Sequence, residues 1–212
     1  MANVDAPHGL SPIFVSGSSP TSGAVSKMYL PADYATSVFI GDPVIKVAAG
    51  SNDVVVKTVG GEYQIGTLPE VNVVAVGDGN DITGVVVGFE AVTRDSTVYG
   101  AADTVRVALV NTDPMQEYTI QADGAVPPLS VGLNAVLIAT HSGDTTSGRS
   151  GMELDTTSTA PSADASNQLL IMRLHNAPDN ETNLLHNEVV VRVSLSTEVT
   201  QDAVAGDGIL GI

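Results

Sequence analysis

The sequence predicts an all-β fold, an antiparallel barrel or sandwich with little helix. Three observations carry this reading. Valine is by far the commonest large apolar residue, and branching at Cβ favours strands. Turn formers are abundant, with 21 glycines and 11 prolines. Short apolar runs alternate with these turns at a spacing of roughly 8–12 residues, the rhythm of barrels and sandwiches. With 212 residues the chain can bury a sizeable core.

Residues 1–35 differ from the rest. Pro7, Pro12, Pro20 and Pro31 punctuate them, and residues 16–23 are rich in Ser, Gly and Pro. The apolar pieces at 10–15 and 24–30 hold too little surface to fold alone. They read as an extended N-terminal arm that orders by adding to another sheet or another chain. A first hairpin of the domain is the competing reading. A β domain is expected over 36–199 and a tail over 200–212.

Within the domain, strands are expected at 37–40, 44–48, 53–59, 63–68 and 71–76. Pro43 has no N–H for a ladder and belongs at a strand start or edge. Gly77-Asp78-Gly79-Asn80-Asp81 is a turn, since glycine supplies positive φ and Asp and Asn tolerate it. Val85, Val86 and Val87 then run consecutively, so both faces of that strand should be covered. Residues 71–92 therefore read as a hairpin with a long loop.

Residues 104–110 alternate, with Val105, Val107 and Leu109 opposed to Arg106 and Ala108, which predicts a half-buried strand. Asn111-Thr112-Asp113-Pro114 turns the chain into a strand at 118–122. Residues 134–139 have the length of a buried strand. Residues 141–159 read as a long surface excursion around Met152-Glu153-Leu154. The last strands are 168–174 and 188–195, the second placing Val189, Val191, Val193 and Leu195 on one face. Residues 179–185 allow one helical turn, with Asp179 as its cap.

The net charge of −16 excludes a nucleic-acid binder, which needs clustered Lys and Arg; the eight bases here are scattered. Such acidity favours solubility and repulsion between copies. With no cysteine there is no disulfide and no thiolate metal site or nucleophile. The first residues have neither a basic region nor an apolar run, so no signal peptide is expected. No window offers the ~20 apolar residues of a helical membrane span.

Motifs for chemistry are weak. His141-Ser142-Gly143-Asp144 brings triad letters together, but a triad is built from residues distant in sequence. Asp78, Asn80 and Asp81 fail the spacing of a calcium loop, because its sixth and twelfth positions fall on Thr83 and Phe89. His175 and His186 have no third ligand nearby in sequence. No cofactor and no metal are expected, and no enzyme activity.

Many segments resemble one known group. They include Met1-Ala2-Asn3-Val4-Asp5-Ala6-Pro7-His8-Gly9-Leu10-Ser11-Pro12, Phe39-Ile40-Gly41-Asp42-Pro43-Val44 and Leu68-Pro69-Glu70-Val71-Asn72. Gly77 through Glu90, Ile120-Gln121-Ala122-Asp123-Gly124, Val131 through Gly143, Gly151-Met152-Glu153-Leu154-Asp155 and Asn176-Ala177-Pro178-Asp179-Asn180-Glu181 continue the series in order. The chain resembles the capsid cement, or decoration, proteins of tailed bacteriophages, except at residues 16–25 and after Thr197. The resemblance implies a non-enzymatic virion protein on the exterior of the head. It would bind the major capsid protein, resist internal DNA pressure and associate with itself as a dimer or trimer.

Under this reading the candidate capsid or oligomer contacts are Pro7, Leu10, Ile13, Phe14, Tyr29 and Leu30 in the arm, with Ile209 and Leu210 in the tail. Two alternatives come from other classes. One is a β-sandwich module for a host surface glycan. The other is a hydrolase using His141.

Overall fold

The structure, a computed structural model, describes residues 3–15 and 25–198. In chain order its strands are β1 (Ser11–Val15), β2 (Val25–Leu30), β3 (Pro43–Ser51), β4 (Val56–Thr58), β5 (Gly61–Tyr63), β6 (Pro69–Val73), β7 (Gly84–Phe89), β8 (Arg106–Asn111), β9 (Gln116–Gln121), β10 (Asn134–Ala135), β11 (Leu137–Ile138), β12 (Glu153–Leu154), β13 (Leu169–Leu174) and β14 (Glu188–Val193). Among the described residues the one helical element is a 3-10 turn at Pro128–Ser130. The fold is all-β, as the valine content and turn spacing predict.

Barrel and sheet both occur. β2, β6, β3, β7 and β8 close into a barrel in that order. Its seam is a parallel contact, Tyr29 beside Glu70; the barrel's other pairings are antiparallel. β1, β9, β14, β13 and β10 form a five-stranded antiparallel sheet. The two layers face each other in a sandwich-like arrangement. Val74, Ile82 and Val85 from the barrel side meet Leu10, Tyr118, Ile120, Ile171, Val189 and Val191 from the sheet side. A second core fills the barrel with Met28, Leu30, Val44, Val71, Val86, Ala108 and Val110.

Strand alternation explains the partition. Val85 serves the core between the layers and Val86 the barrel interior, both fully buried, so the consecutive valines do cover both faces. In β2, Met28 and Leu30 fill the barrel while Tyr29 packs on the outside with Val56, Leu68 and Val107. Those partners come from β8 and from the small β4–β5 hairpin with its flanking loop, which covers that outer face.

Several expectations need correcting. The described parts of residues 1–35 are not a free arm. β1 adds to a sheet, but to that of its own chain, pairing with β9, and β2 is a barrel stave between β6 and β8. They are not a hairpin either, since β1 and β2 lie in different layers. Residues 71–92 do not form a hairpin: β6 and β7 both pair with β3, which lies between them. The connecting turn leaves the barrel and docks on the other layer. Gly77 and Gly79, both at positive φ, donate their amides to Leu137 O and Ser166 O.

β8 is covered on both sides, not half-buried. Arg106 is only 4% exposed, its guanidinium lying over the Phe89 ring and donating to the Thr97 carbonyl and hydroxyl. Residues 134–139 split at Val136, so β10 pairs with β13 while β11 pairs with β12. The excursion at 141–159 is internal at its centre, where residues 150–155 are buried around β12. Residues 37–40 supply two isolated bridges instead of a strand, and residues 179–185 make turns instead of a helix.

Candidate functional site

The N-terminal segment 3–10 is held by side chains that read its backbone. The Asn3 amide donates to the Glu181 and Leu185 carbonyls, and the Glu181 amide donates back to Asn3 Oδ1. Gln121, buried at the end of β9, accepts from the Ala6 amide at 2.8 Å and donates to the Val4 carbonyl at 2.9 Å. One amide side chain thus clamps the segment from both sides, as a strand neighbour would.

All four histidines of the chain gather along this segment, each facing a carboxylate. Glu188, the first residue of β14, lies 3.4 Å from His8 Nε2 and 2.8 Å from His175 Nδ1. Hydrogen bonding from His8, reinforced by His175, outweighs burial and holds the Glu188 carboxyl down at about 2. The other face of the His8 ring, Nδ1, meets Ser11 Oγ at 3.0 Å. Asp5 stands between His141 Nε2 at 3.6 Å and His186 Nδ1 at 3.8 Å. His141 Nδ1 in turn faces Glu153 Oε2 at 3.2 Å, and Thr140 Oγ1 donates to the same oxygen.

Glu153 is 1% exposed, and in β12 it pairs with Ile138 of β11. His141 turns towards Glu153 and Asp5, not towards its sequence neighbour Asp144. The Asp144 carboxylate accepts from the Thr146 and Ser147 amides and shapes its own turn, which leaves the triad letters without triad geometry. His175 and His186 serve different carboxylates and form no pair. The Asp78 loop is a turn closed by Asn80 Nδ2 on the Asp78 carbonyl.

Near His141 a shallow cleft of about 430 Å³ opens over Phe39, Val73, Gly143 and Met152, with Asp42 among its lining residues. Burial pushes the Asp42 carboxyl up to about 6, although Ser150 and the Phe39 amide, at 2.8 Å, bond it.

The predicted contact residues are distributed unevenly. Leu10 is fully buried between the layers, and Tyr29 and Leu30 lie inside the chain's own cores, so none of the three offers a surface. The Tyr29 hydroxyl donates to Asp53 Oδ1 at 3.2 Å. Pro7 and Ile13 are half-buried, and Phe14 occupies the β1 ladder opposite Glu117. Ile209 and Leu210 lie outside the described residues.

No family model, curated protein or solved structure matches this chain.

The surface that sequence reasoning missed is apolar. Leu129 is 91% exposed and Leu185 62%, with Val4, Val131 and Leu184 also open. These residues belong to three adjoining segments. Ala125 bridges to Leu185, Asn187 Oδ1 accepts from the Val126 amide, and Asn3 bonds the Leu185 carbonyl. Exposed apolar side chains that gather into a patch mark interaction surfaces more often than single ones do. The β13–β14 connection meets residues 125 and 126 through Leu185 and Asn187, a neighbourhood that no local pattern signals.

Proposed function

We propose that this chain is a non-enzymatic structural protein of a phage head. It docks from outside on the shell of the major capsid protein and reinforces that shell against internal DNA pressure. The observation that carries the reading is the exposure of Val4, Leu129, Val131, Leu184 and Leu185 on three adjoining segments, which we take as one apolar rim. Burying such side chains on a partner is worth about 1.5–3 kcal/mol for each large one fully covered.

The resemblance to capsid cement proteins supports it. Its segments run through both layers, from Leu10 in the shared core through Gly77–Glu90, where the chain crosses between layers, to Val131–Gly143 at the β10–β11 switch. Copies carrying −16 each repel one another, so a rim that buries apolar area is what such a protein needs to crowd onto equivalent shell sites. Self-association as a dimer or trimer belongs to the same proposal.

Deleting residues 2–15 does not test this cleanly, because it removes Leu10 and β1 from the core. The cleaner variant is Leu129→Ser with Leu185→Ser. The wild-type chain should co-sediment with shells assembled from the major capsid protein, and the double variant should lose most of that binding. A wild-type chain that stays in the supernatant overturns the capsid reading. A double variant that sediments like the wild type overturns the apolar rim as its docking surface.

A further inference from the structure

The structure assigns a divalent-cation site to Asp5, His141 and Glu153, independent of the docking reading. Each offers one ligand atom, and these atoms lie within 4.8 Å of one another. The three come from parts of the chain that local sequence does not connect: the N-terminal segment, the loop after β11, and β12.

Glu153 points beyond a chance cluster of acids. It is 1% exposed, and its Oε1 is buried with no hydrogen-bond partner. Its other oxygen accepts from Thr140 and faces His141. A buried carboxylate oxygen without a partner is costly, and among the described residues no Lys or Arg pairs with Glu153 or Asp5. The two carboxylates concentrate negative charge beside a buried group, with only the His141 and His186 imidazoles facing them. A cation offsets that charge and takes up the vacant lone pairs.

The donor set selects the class of ion. One imidazole and two carboxylates, with no thiolate, suit Zn²⁺ or Mn²⁺; Ca²⁺ and Mg²⁺ favour all-oxygen shells. Asp5 and His141 are open to solvent, which gives the ion an entry path and leaves room for water ligands. His141 presents Nε2 to Asp5 and Nδ1 to Glu153. His186 stands on the far oxygen of Asp5, at 3.8 Å. The bound ion pins the N-terminal segment onto β12.

The test uses the full chain, stripped with a chelator and titrated with Zn²⁺, and separately with Mn²⁺ and Ca²⁺, by calorimetry. Amide exchange of residues 3–8 is followed in parallel. One saturable Zn²⁺ or Mn²⁺ equivalent should bind, and exchange at residues 3–8 should slow. Asp5→Asn, at an exposed position, should weaken binding by about tenfold or more and abolish the slowing. His175→Ala, in the neighbouring Glu188 cluster, should bind as the wild type does. Glu153→Gln should weaken binding about 10–100-fold if it folds; where it does not, Asp5→Asn decides. No saturable binding, preference for Ca²⁺, or wild-type affinity in Asp5→Asn overturns the site.

Discussion

The Ile82 amide donates to the Leu195 carbonyl at 2.8 Å, and this bond carries the chain from one layer to the other. The Ile82 side chain is fully buried in the core between the layers, yet two residues later Gly84 opens β7 of the barrel. Thr197 returns its own amide to the Ile82 carbonyl, so a parallel bridge ties the turn after β6 to the segment after β14.

Ile82→Ala should therefore act on the union of the layers. It opens a cavity where the surroundings belong to two different sheets and cannot easily collapse. The expected cost is about 2–5 kcal/mol. Urea unfolding followed by two probes, Tyr29 in the barrel and Tyr118 in the sheet, checks this. A loss below 1 kcal/mol, on the order of a surface change, would contradict the role given to Ile82.

Asp42 makes stability fall with rising pH. Its carboxyl is pushed up to about 6 by burial, against an unperturbed value near 3.8. The folded chain therefore holds the proton more tightly than the unfolded chain. The benefit is complete below about pH 4 and is lost as the pH rises through 6, a difference of roughly 2–3 kcal/mol. Asp42→Asn keeps an acceptor for the Phe39 amide and removes the ionisation. Urea midpoints measured from pH 4 to 7.5 should flatten in the variant, and an unchanged slope would refute the assignment.

Much of the fold is legible in the sequence where one strand decides its own burial. Val85 and Val86 announce two covered faces, and Val189 and Val191 announce the core side of β14. What stays hidden is pairing. The seam that closes the barrel joins Tyr29 to Glu70, and nothing local to either residue foretells it. Once the barrel closes, Tyr29 and Leu30 are internal, so a segment that reads as an arm becomes a stave. Arg106 fools the alternation because Phe89 and Thr97 supply an internal home for a guanidinium. The histidine seam is half legible. The Leu174–Val189 pairing sets His175 opposite Glu188, whereas His141 reaches Asp5 and Glu153 only through the fold.

Glu188 gives the opposite pH trend to Asp42. Its carboxyl is held at about 2, below its ordinary 4.5, mainly by hydrogen bonding from His8. The stabilisation is present above the unfolded value and is lost as the pH falls towards 2. Its side chain is 31% exposed, so solvent screening reduces the effect to about 1 kcal/mol. Glu188→Gln should be less stable than the wild type by that amount at pH 6. The gap should narrow steadily as the pH falls from 4.5 to 2.5, and a constant gap across this range would mean that the carboxylate charge plays no part.

Two glycines of β7 should respond oppositely to alanine. At Gly84 an added Cβ would collide with the Asn111 carbonyl, a backbone atom that cannot turn aside, and would press on Val110 Cγ1 at 2.7 Å. The strand approaches β8 this closely because no side chain intervenes. Overpacking at such a point costs about 1–3 kcal/mol. At Gly88 the nearest atom is Leu109 Cδ1 at 3.7 Å, an ordinary contact, and the φ there is one that alanine adopts freely. Alanine at that site reduces the freedom of the unfolded chain and should stabilise by about 0.4–1 kcal/mol. Thermal unfolding of Gly84→Ala and Gly88→Ala should move Tm down and up respectively. Equal shifts in one direction would show that the β7–β8 approach does not depend on Gly84.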